Sequence, residues 1–490
     1  MDPLTLSRFQ FGDTAAFHIL WPLLSIGLSL FMFVLEAAWL YTKDERYFRQ
    51  VKFWAKIFIL TFGIGTASGI PLEFEFGTNW ATFSAAAGDF FGNILGFEST
   101  VAFALEAAFL GIFIFGWKRV RPSVHLFSNG MVALGATLSA FWIMVANSWM
   151  QVPVGVTVQG GKIVVTDYLL AIFNPDSIVS FLHMEVACIE TTLFFIAGLC
   201  AWALLVAARS PASSEGALSH DGATTEDFPS RKNPYPYEGA GVRARRQEFF
   251  LQAFKWSLAL AILITPLQIF LGDLSGTTVA RLQPAKVAAF ELHWQTNAPG
   301  QGAAWSLVAW PSPQGGSNSF DIAIPDALSI LTTHSLTGQV EGLNSFAPDN
   351  RPSLVDDTIV FYSFRVMVAI GFALFFLMAL GAWYWWKGKL TPAAALRHRI
   401  FWLLWVLAMP LGFIATESGW MVREIGRQPW VVYHLMRTAD AVSPGLNTPE
   451  VATTTALFTL IYLAFSALFI YFTYRFMKNG PDFDEQVPAL

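Results

Sequence analysis

The stretch SIVSFLHMEVACIETTLFFIAGLCAWALLVA, residues 177–207, decides the class of this chain. It is too long and too apolar for an ordinary surface helix. At 1.5 Å per residue it exceeds the ~30 Å of a hydrocarbon layer. Working outward from it, eight more runs of similar character appear, at about 14–40, 52–76, 94–117, 124–149, 248–271, 358–386, 400–422 and 450–474. The 490 residues are 54% hydrophobic and only 13% charged, and no soluble core of ordinary size remains between the runs. The fold class expected is therefore an all-α integral membrane protein with nine transmembrane helices.

Basic residues set the expected orientation. Lys43, Arg46, Arg49, Lys52 and Lys56 follow the first run, Lys118, Arg119 and Arg121 the third, and Arg231, Lys232, Arg243, Arg245 and Arg246 the fifth. Lys387, Lys389, Arg397 and Arg399 follow the seventh, Arg475 and Lys478 the ninth. By the positive-inside rule these loops are cytoplasmic, which places the N-terminus outside and the C-terminus in the cytoplasm. The first run has no basic segment before it and no small-residue cleavage site after it, so it reads as an uncleaved span. The net charge of −5 carries no sign of nucleic-acid binding, because the basic residues sit beside helices rather than on one face.

Two connections stand out by length. Residues of about 208–247 are rich in Ser, Gly, Pro and charge and read as a flexible cytoplasmic connector. The external segment 272–357 contains apolar clusters and Trp294, Trp305 and Trp310, so an ordered lid is expected there. The domain reading is 1–271 (six helices), 272–357 (external loop) and 358–490 (three helices). Cys188 and Cys200 are twelve residues apart on one helix, about 18 Å, and read as two unpaired buried residues.

The polar residues inside the runs carry the chemistry. His18 and His183 are read as the histidines of the apolar segments, every other histidine lying in a polar stretch. Glu98, Glu106, Met367 and Glu417 also lie in apolar runs. Ionisable groups in hydrocarbon are costly and serve proton paths, counter-ions or metals. Histidine, methionine and a carboxylate together are axial ligands for iron porphyrins: a His/Met pair suits electron transfer, and a single ligand leaves a position where oxygen binds. All except Glu106 fall in the outer half of their helices. Methionine in an apolar helix is ordinarily packing, and intramembrane glutamates serve equally as proton carriers, so composition and spacing alone reach a membrane heme protein.

The words around these residues go further. Glu417-Ser418-Gly419-Trp420 followed by Gly426-Arg427-Gln428-Pro429-Trp430 closely resembles the signature of subunit I of cytochrome bd-type quinol oxidases. The resemblance runs through Arg8-Phe9-Gln10-Phe11 with His18, Gly69-Ile70-Pro71-Leu72-Glu73-Phe74 and Gly77-Thr78-Asn79-Trp80. It continues in Ala146-Asn147-Ser148-Trp149-Met150-Gln151, Pro153-Val154-Gly155, Gly272-Asp273, Gln283-Pro284-Ala285-Lys286 and Phe364-Arg365-Val366-Met367-Val368. The external loop is short, as in the branch often called cyanide-insensitive.

The resemblance implies that His183 and Met367 hold a low-spin heme b. It implies that His18 and Glu417 hold a high-spin heme b and a heme d, or a second high-spin heme b in its place, without deciding which ligand serves which. Arg365, Trp420 and Arg427 would contact the hemes. Glu98 would stand at the oxygen site with Glu106 on the proton route, and Lys286 and Glu291 would act on quinol. Glu75, Glu185 and Glu190 are carboxylates beyond the family pattern. The function implied is quinol oxidation on the outer side coupled to reduction of oxygen to water, generating proton motive force without a pump. Subunit II, small single-helix accessory subunits and the bacterial inner membrane are the implied partners and location. Two other classes remain open to the residues themselves: an electron-relay cytochrome without oxygen chemistry, and a solute carrier without heme.

Overall fold

The structure, a computed structural model, describes residues 2–209, 240–393 and 397–488. Residues 210–239 of the expected connector lie outside the described residues. Among those described, nine helical spans are long and apolar enough to cross a membrane, one for each apolar run.

Helix α1 (Pro3–Thr42) starts where the Asp2 carboxylate accepts the Thr5 N–H, and ends at Lys43 in the left-handed conformation. Asp44 then caps α2 (Glu45–Thr78), so the first two spans form an antiparallel pair. The third span is composite: α3 (Ala81–Phe97), a π-helical turn (Glu98–Phe103) and α4 (Ala104–Phe115). Span four is α5 (Pro122–Gln151); the short α6 (Tyr168–Ile172) precedes α7 (Ser177–Arg209), and α8 (Ala240–Leu282) is followed by the short α9 (Pro284–Glu291). After α10 (Ala327–Thr333) comes α11 (Leu354–Trp386), opened by a reciprocal Ser353–Asp356 capping box. The eighth span is divided into α12 (Arg399–Ala408) and α13 (Leu411–Ile425) at Pro410, which lacks the N–H the helix needs. Helix α14 (Thr448–Asn479) is the ninth span.

The all-α expectation holds for the spans, while the loops add three antiparallel hairpins. They pair β1 (Val156–Gln159) with β2 (Lys162–Val165), β3 (Trp305–Pro311) with β4 (Asn318–Ile324), and β5 (Trp430–Val432) with β6 (Met436–Arg437). The helices also overrun the apolar runs. The sixth continues to Leu282 rather than stopping near 271, because Thr277 and Thr278 turn their hydroxyls back onto the Leu274 carbonyl and nothing interrupts the backbone before Pro284. Hydropathy marks what faces lipid; backbone hydrogen bonding continues into the polar margin.

Helix α7, the quoted stretch, is the axis of the bundle. Its most apolar window is 83% buried against 11–61% for the other spans. Gly198 lets α12 approach, since a Cβ there would stand 2.9 Å from the Trp405 carbonyl. Trp54, Phe194, Phe254, Trp402 and Trp405 fill the surrounding core. Cys188 and Cys200 are free and buried, as expected.

The C-terminal tail closes one end of the bundle. Arg246 donates to the carbonyls of Met477 and Lys478 at 2.6 and 2.5 Å, Arg49 donates to Phe483 O at 2.8 Å, and Lys52 pairs with Glu485 at 2.8 Å. The C-terminus thus shares an end with the basic loop after α1. Helix α9 and the β3–β4 and β5–β6 hairpins gather at the opposite end.

Candidate active site

His18 is held in one tautomer. Its Nδ1 lies 3.0 Å from Ser68 Oγ, and that hydroxyl donates to the Gly65 carbonyl at 2.9 Å. The hydroxyl hydrogen is therefore committed, so the imidazole must donate from Nδ1, which leaves the Nε2 lone pair available to a metal. Gly69 lies against the ring: a Cβ there would be 3.2 Å from His18 Cε1.

His183 stands on α7 beside Gly272 of α8, and its Nδ1 is buried with no hydrogen-bond partner. Met367 of α11 faces Gly419 of α13, where a Cβ would sit 3.0 Å from its sulfur. Two residues before that glycine, Glu417 has a buried Oε1 without a partner, and Trp420, Trp430 and Arg427 each keep a buried N–H unpaired. Buried polar groups left unpaired are costly. A set that joins an imidazole, a carboxylate and several N–H donors fits an iron porphyrin with anionic side groups. Among the described residues no three His, Cys, Asp or Glu side chains gather into a metal site, and heme iron requires only one or two protein ligands.

Above these residues lies a network that sequence reasoning missed. Arg423 donates to Asp176 at 2.7 Å, Ser180 at 2.9 Å and Asn147 at 2.5 Å. Asn147 and Gln151 donate to Glu424 at 2.9 and 3.2 Å, and Arg427 pairs with the same carboxylate. Lys286 enters the network through Gln151 Oε1 at 2.6 Å and the Arg423 carbonyl at 3.0 Å. Burial, together with Arg423 and Arg427, pulls its ammonium well below the usual lysine range. The available signal was Arg423 and Arg427, four residues apart at the end of a span whose loop belongs to the otherwise weakly basic side.

Glu291, five residues after Lys286, belongs to a different cluster. Its Oε2 receives Arg365 Nη2 at 2.6 Å, while Arg365 also donates from Nε to the Ser306 carbonyl at 2.8 Å and stacks over Phe361 at 4.2 Å. Burial pushes the Glu291 carboxyl up to about 7, with Arg365 opposing. The structure thus pairs Arg365 with Glu291, two residues along the helix from Met367.

In the third span Glu98 opens the π-helical turn and receives the Ser139 hydroxyl at 2.6 Å. The helix between Glu98 and Glu106 is not uniform: i→i+5 winding replaces part of it, a feature that recurs at functional sites. Glu106 is 6% exposed and packs against Gly135 of α5. Among the extra carboxylates, Glu75 accepts from Thr14 at 2.7 Å and Glu185 from Thr137 at 2.8 Å.

One expectation fails. His125 is also intramembrane, 2% exposed, with Nδ1 2.6 Å from Glu36 and Nε2 2.9 Å from the Phe113 carbonyl. Asn129 donates to the other oxygen of Glu36 at 2.8 Å. His125 is only the second residue of the run 124–149 and follows Lys118, Arg119 and Arg121 closely, so in the sequence it reads with that polar stretch; the helix begins at Pro122 and carries it inside.

The family model for cytochrome bd terminal oxidase subunit I matches residues 6–481. The chain belongs to that family. It is 32% identical to cytochrome bd ubiquinol oxidase subunit 1 of Bacillus subtilis (strain 168), covering 99% of this chain and 95% of that protein. It is 31% identical to cytochrome bd-II ubiquinol oxidase subunit 1 of Escherichia coli (strain K12), over 98% and 97%. Among solved structures, the bd oxidase of Geobacillus thermodenitrificans aligns with a TM-score of 0.81 at 28% identity, covering 98% of this chain and 99% of that one. As a member of the cytochrome bd subunit I family, the chain is a multi-pass bacterial inner-membrane protein, a heme-bearing subunit of a terminal quinol oxidase.

Proposed function

We propose that this subunit oxidises quinol at the end of the bundle carrying α9 and the β3–β4 hairpin, and reduces oxygen to water with protons from the opposite, cytoplasmic side. The observation that carries the reading is the buried Glu291–Arg365 pair: it ties a protonatable carboxyl of α9 to α11, the helix that carries Met367, a ligand-type side chain. His183 and Met367 would hold a low-spin heme b, with Trp420, Arg427 and Arg365 nearby. His18 and Glu417 would hold a high-spin heme b and a heme d, or a second high-spin heme b. When bound, these groups supply one-electron storage and an iron at which oxygen is reduced.

The chain's own residues handle protons. Quinol gives up two electrons and two protons; Glu291, near 7, is suited to accept a proton at neutral pH and pass it outward. Lys286, held by Gln151, lines the same end and would orient the headgroup. Glu106 and Glu98 would carry protons inward along the third span. The two half-reactions then draw on opposite sides, and charge is separated without a pump. The segment 272–357 acts as the quinol-binding loop between the helical units 1–271 and 358–490, with the N-terminus outside and the C-terminus cytoplasmic. Subunit II encloses the outer helices, joined by single-helix accessory subunits, and the short loop is that of the branch called cyanide-insensitive.

The purified complex tests this reading. Reduced-minus-oxidised spectra should show low- and high-spin hemes, carbon monoxide should bind after reduction, and quinol should drive oxygen uptake. Hemes without carbon monoxide binding would leave an electron relay instead.

A further inference from the structure

The β3–β4 hairpin has two unlike faces. Inward, Ala309 is fully buried and its carbonyl accepts the Tyr362 hydroxyl at 2.9 Å, while the Ser306 carbonyl accepts Arg365. Outward, the register stacks Trp310 on Phe320 and Val308 on Ile322, with Ile324 continuing the same side. These five are 43–57% exposed, and none is charged.

Depth identifies what such a face meets. Helix α11 ends in Trp383, Tyr384, Trp385 and Trp386, with Lys387 over the Trp386 ring at 4.3 Å and Lys389 over Trp383 at 4.7 Å. That is an aromatic belt with its basic rim, the mark of a membrane boundary. Crossing ~30 Å at 1.5 Å per residue takes about 20 residues, and counting back from Trp383 reaches Ser363. Tyr362 therefore lies at the opposite boundary and Arg365 just inside it. Both are bonded to β3, and Trp310 approaches the Tyr362 ring to 6.3 Å. The Arg365 guanidinium reaches back over Phe361, so β3 meets α11 at this boundary through both Ser306 and Ala309, with the polar turn Ser312–Ser317 beyond Trp310. On α11 itself Val366, one turn after Tyr362, is also exposed, at 41%.

We propose that the Trp310–Phe320–Ile322 face of this hairpin is immersed in the bilayer, in the leaflet on the α9 side, and anchors the external loop to lipid. The occupant is the acyl–headgroup boundary, which aromatic and branched aliphatic side chains without charge suit.

The test uses the whole oxidase in phosphatidylcholine–phosphatidylglycerol nanodiscs. Cys188 and Cys200 are fully buried, so a nitroxide can be attached selectively at Phe320→Cys, Ile322→Cys or Gln314→Cys. The heme absorption spectrum of each labelled protein serves as the folding control. At Phe320→Cys and Ile322→Cys, collision with oxygen should exceed collision with a water-soluble nickel chelate several-fold more than at Gln314→Cys, in the turn. Equal ratios at all three positions would place the face in water, and exclusion of both probes at 320 and 322 would mean that protein covers it. Either result overturns the proposal. Three exposed sites are used so that one failed variant does not decide the outcome.

Discussion

Arg365 Nη2 and Glu291 Oε2 stand 2.6 Å apart in an ion pair whose side chains are 12% and 3% exposed. The guanidinium opposes the burial that pushes the carboxyl up to about 7. Only the carboxylate accepts a proton, so kcat/KM for quinol is expected to rise with pH and level off above about 7. Arg365→Gln removes the opposing charge and should move that limb to higher pH. Glu291→Gln should abolish it with much lower turnover. An unchanged limb in Glu291→Gln would remove Glu291 from the proton path.

Ser68 should matter through His18 alone. Ser68→Ala strips Nδ1 of its acceptor and frees the ring to turn, and loss of such a support typically weakens metal binding by about 10–100-fold. The expected outcome is partial heme loss on purification, read from heme per protein. Full heme content would indicate that packing against Gly69 suffices.

Nine spans, and the His, Met and carboxylate side chains within them, were legible because charge in hydrocarbon is conspicuous and helix length is bounded by the bilayer. What stayed hidden depends on partners distant in sequence. Lys286 and Glu291 read as two charges on one loop, yet they bond to different elements, Gln151 of α5 and Arg365 of α11. His125 was masked by its basic neighbours. The π-helical turn has no compositional sign, since Glu98–Phe103 is ordinary helix-compatible sequence.

Two glycines beside candidate ligands should respond differently. A methyl at Gly419 would press Met367 Sδ at 3.0 Å, whereas one at Gly272 would meet His183 Cε1 at an ordinary 3.5 Å. Gly419→Ala should shift the low-spin absorption or its midpoint potential, and Gly272→Ala should leave both near wild type. His183→Ala and Met367→Leu should remove the signal altogether. Equal spectra for the two alanine variants would separate Met367 from the ligand set.

Glu106→Leu is expected to keep carbon monoxide binding but slow turnover more than tenfold, about 1.4 kcal/mol in barrier. Glu106→Asp should retain part of the rate. Heme content must be measured in parallel, because Glu106 packs on Gly135 and a leucine there could disturb the α4–α5 contact. Wild-type turnover with full heme would exclude Glu106 as an obligatory carrier.

The π-turn at Glu98–Phe103 has a consequence for how this family tolerates length changes. A π-turn is an α-helix accommodating one surplus residue. Deleting that one residue would let the helix return to uniform winding with the segments on either side still aligned, because the wide turn is what absorbs the surplus. Wound uniformly at its present length, the span would instead turn one segment by about 100° relative to the other, one residue's share of a helical turn. Glu98 on Ser139 and Glu106 on Gly135 are thus reconciled by the turn itself. The alignment of these two carboxylates is a matter of winding as much as of residue identity.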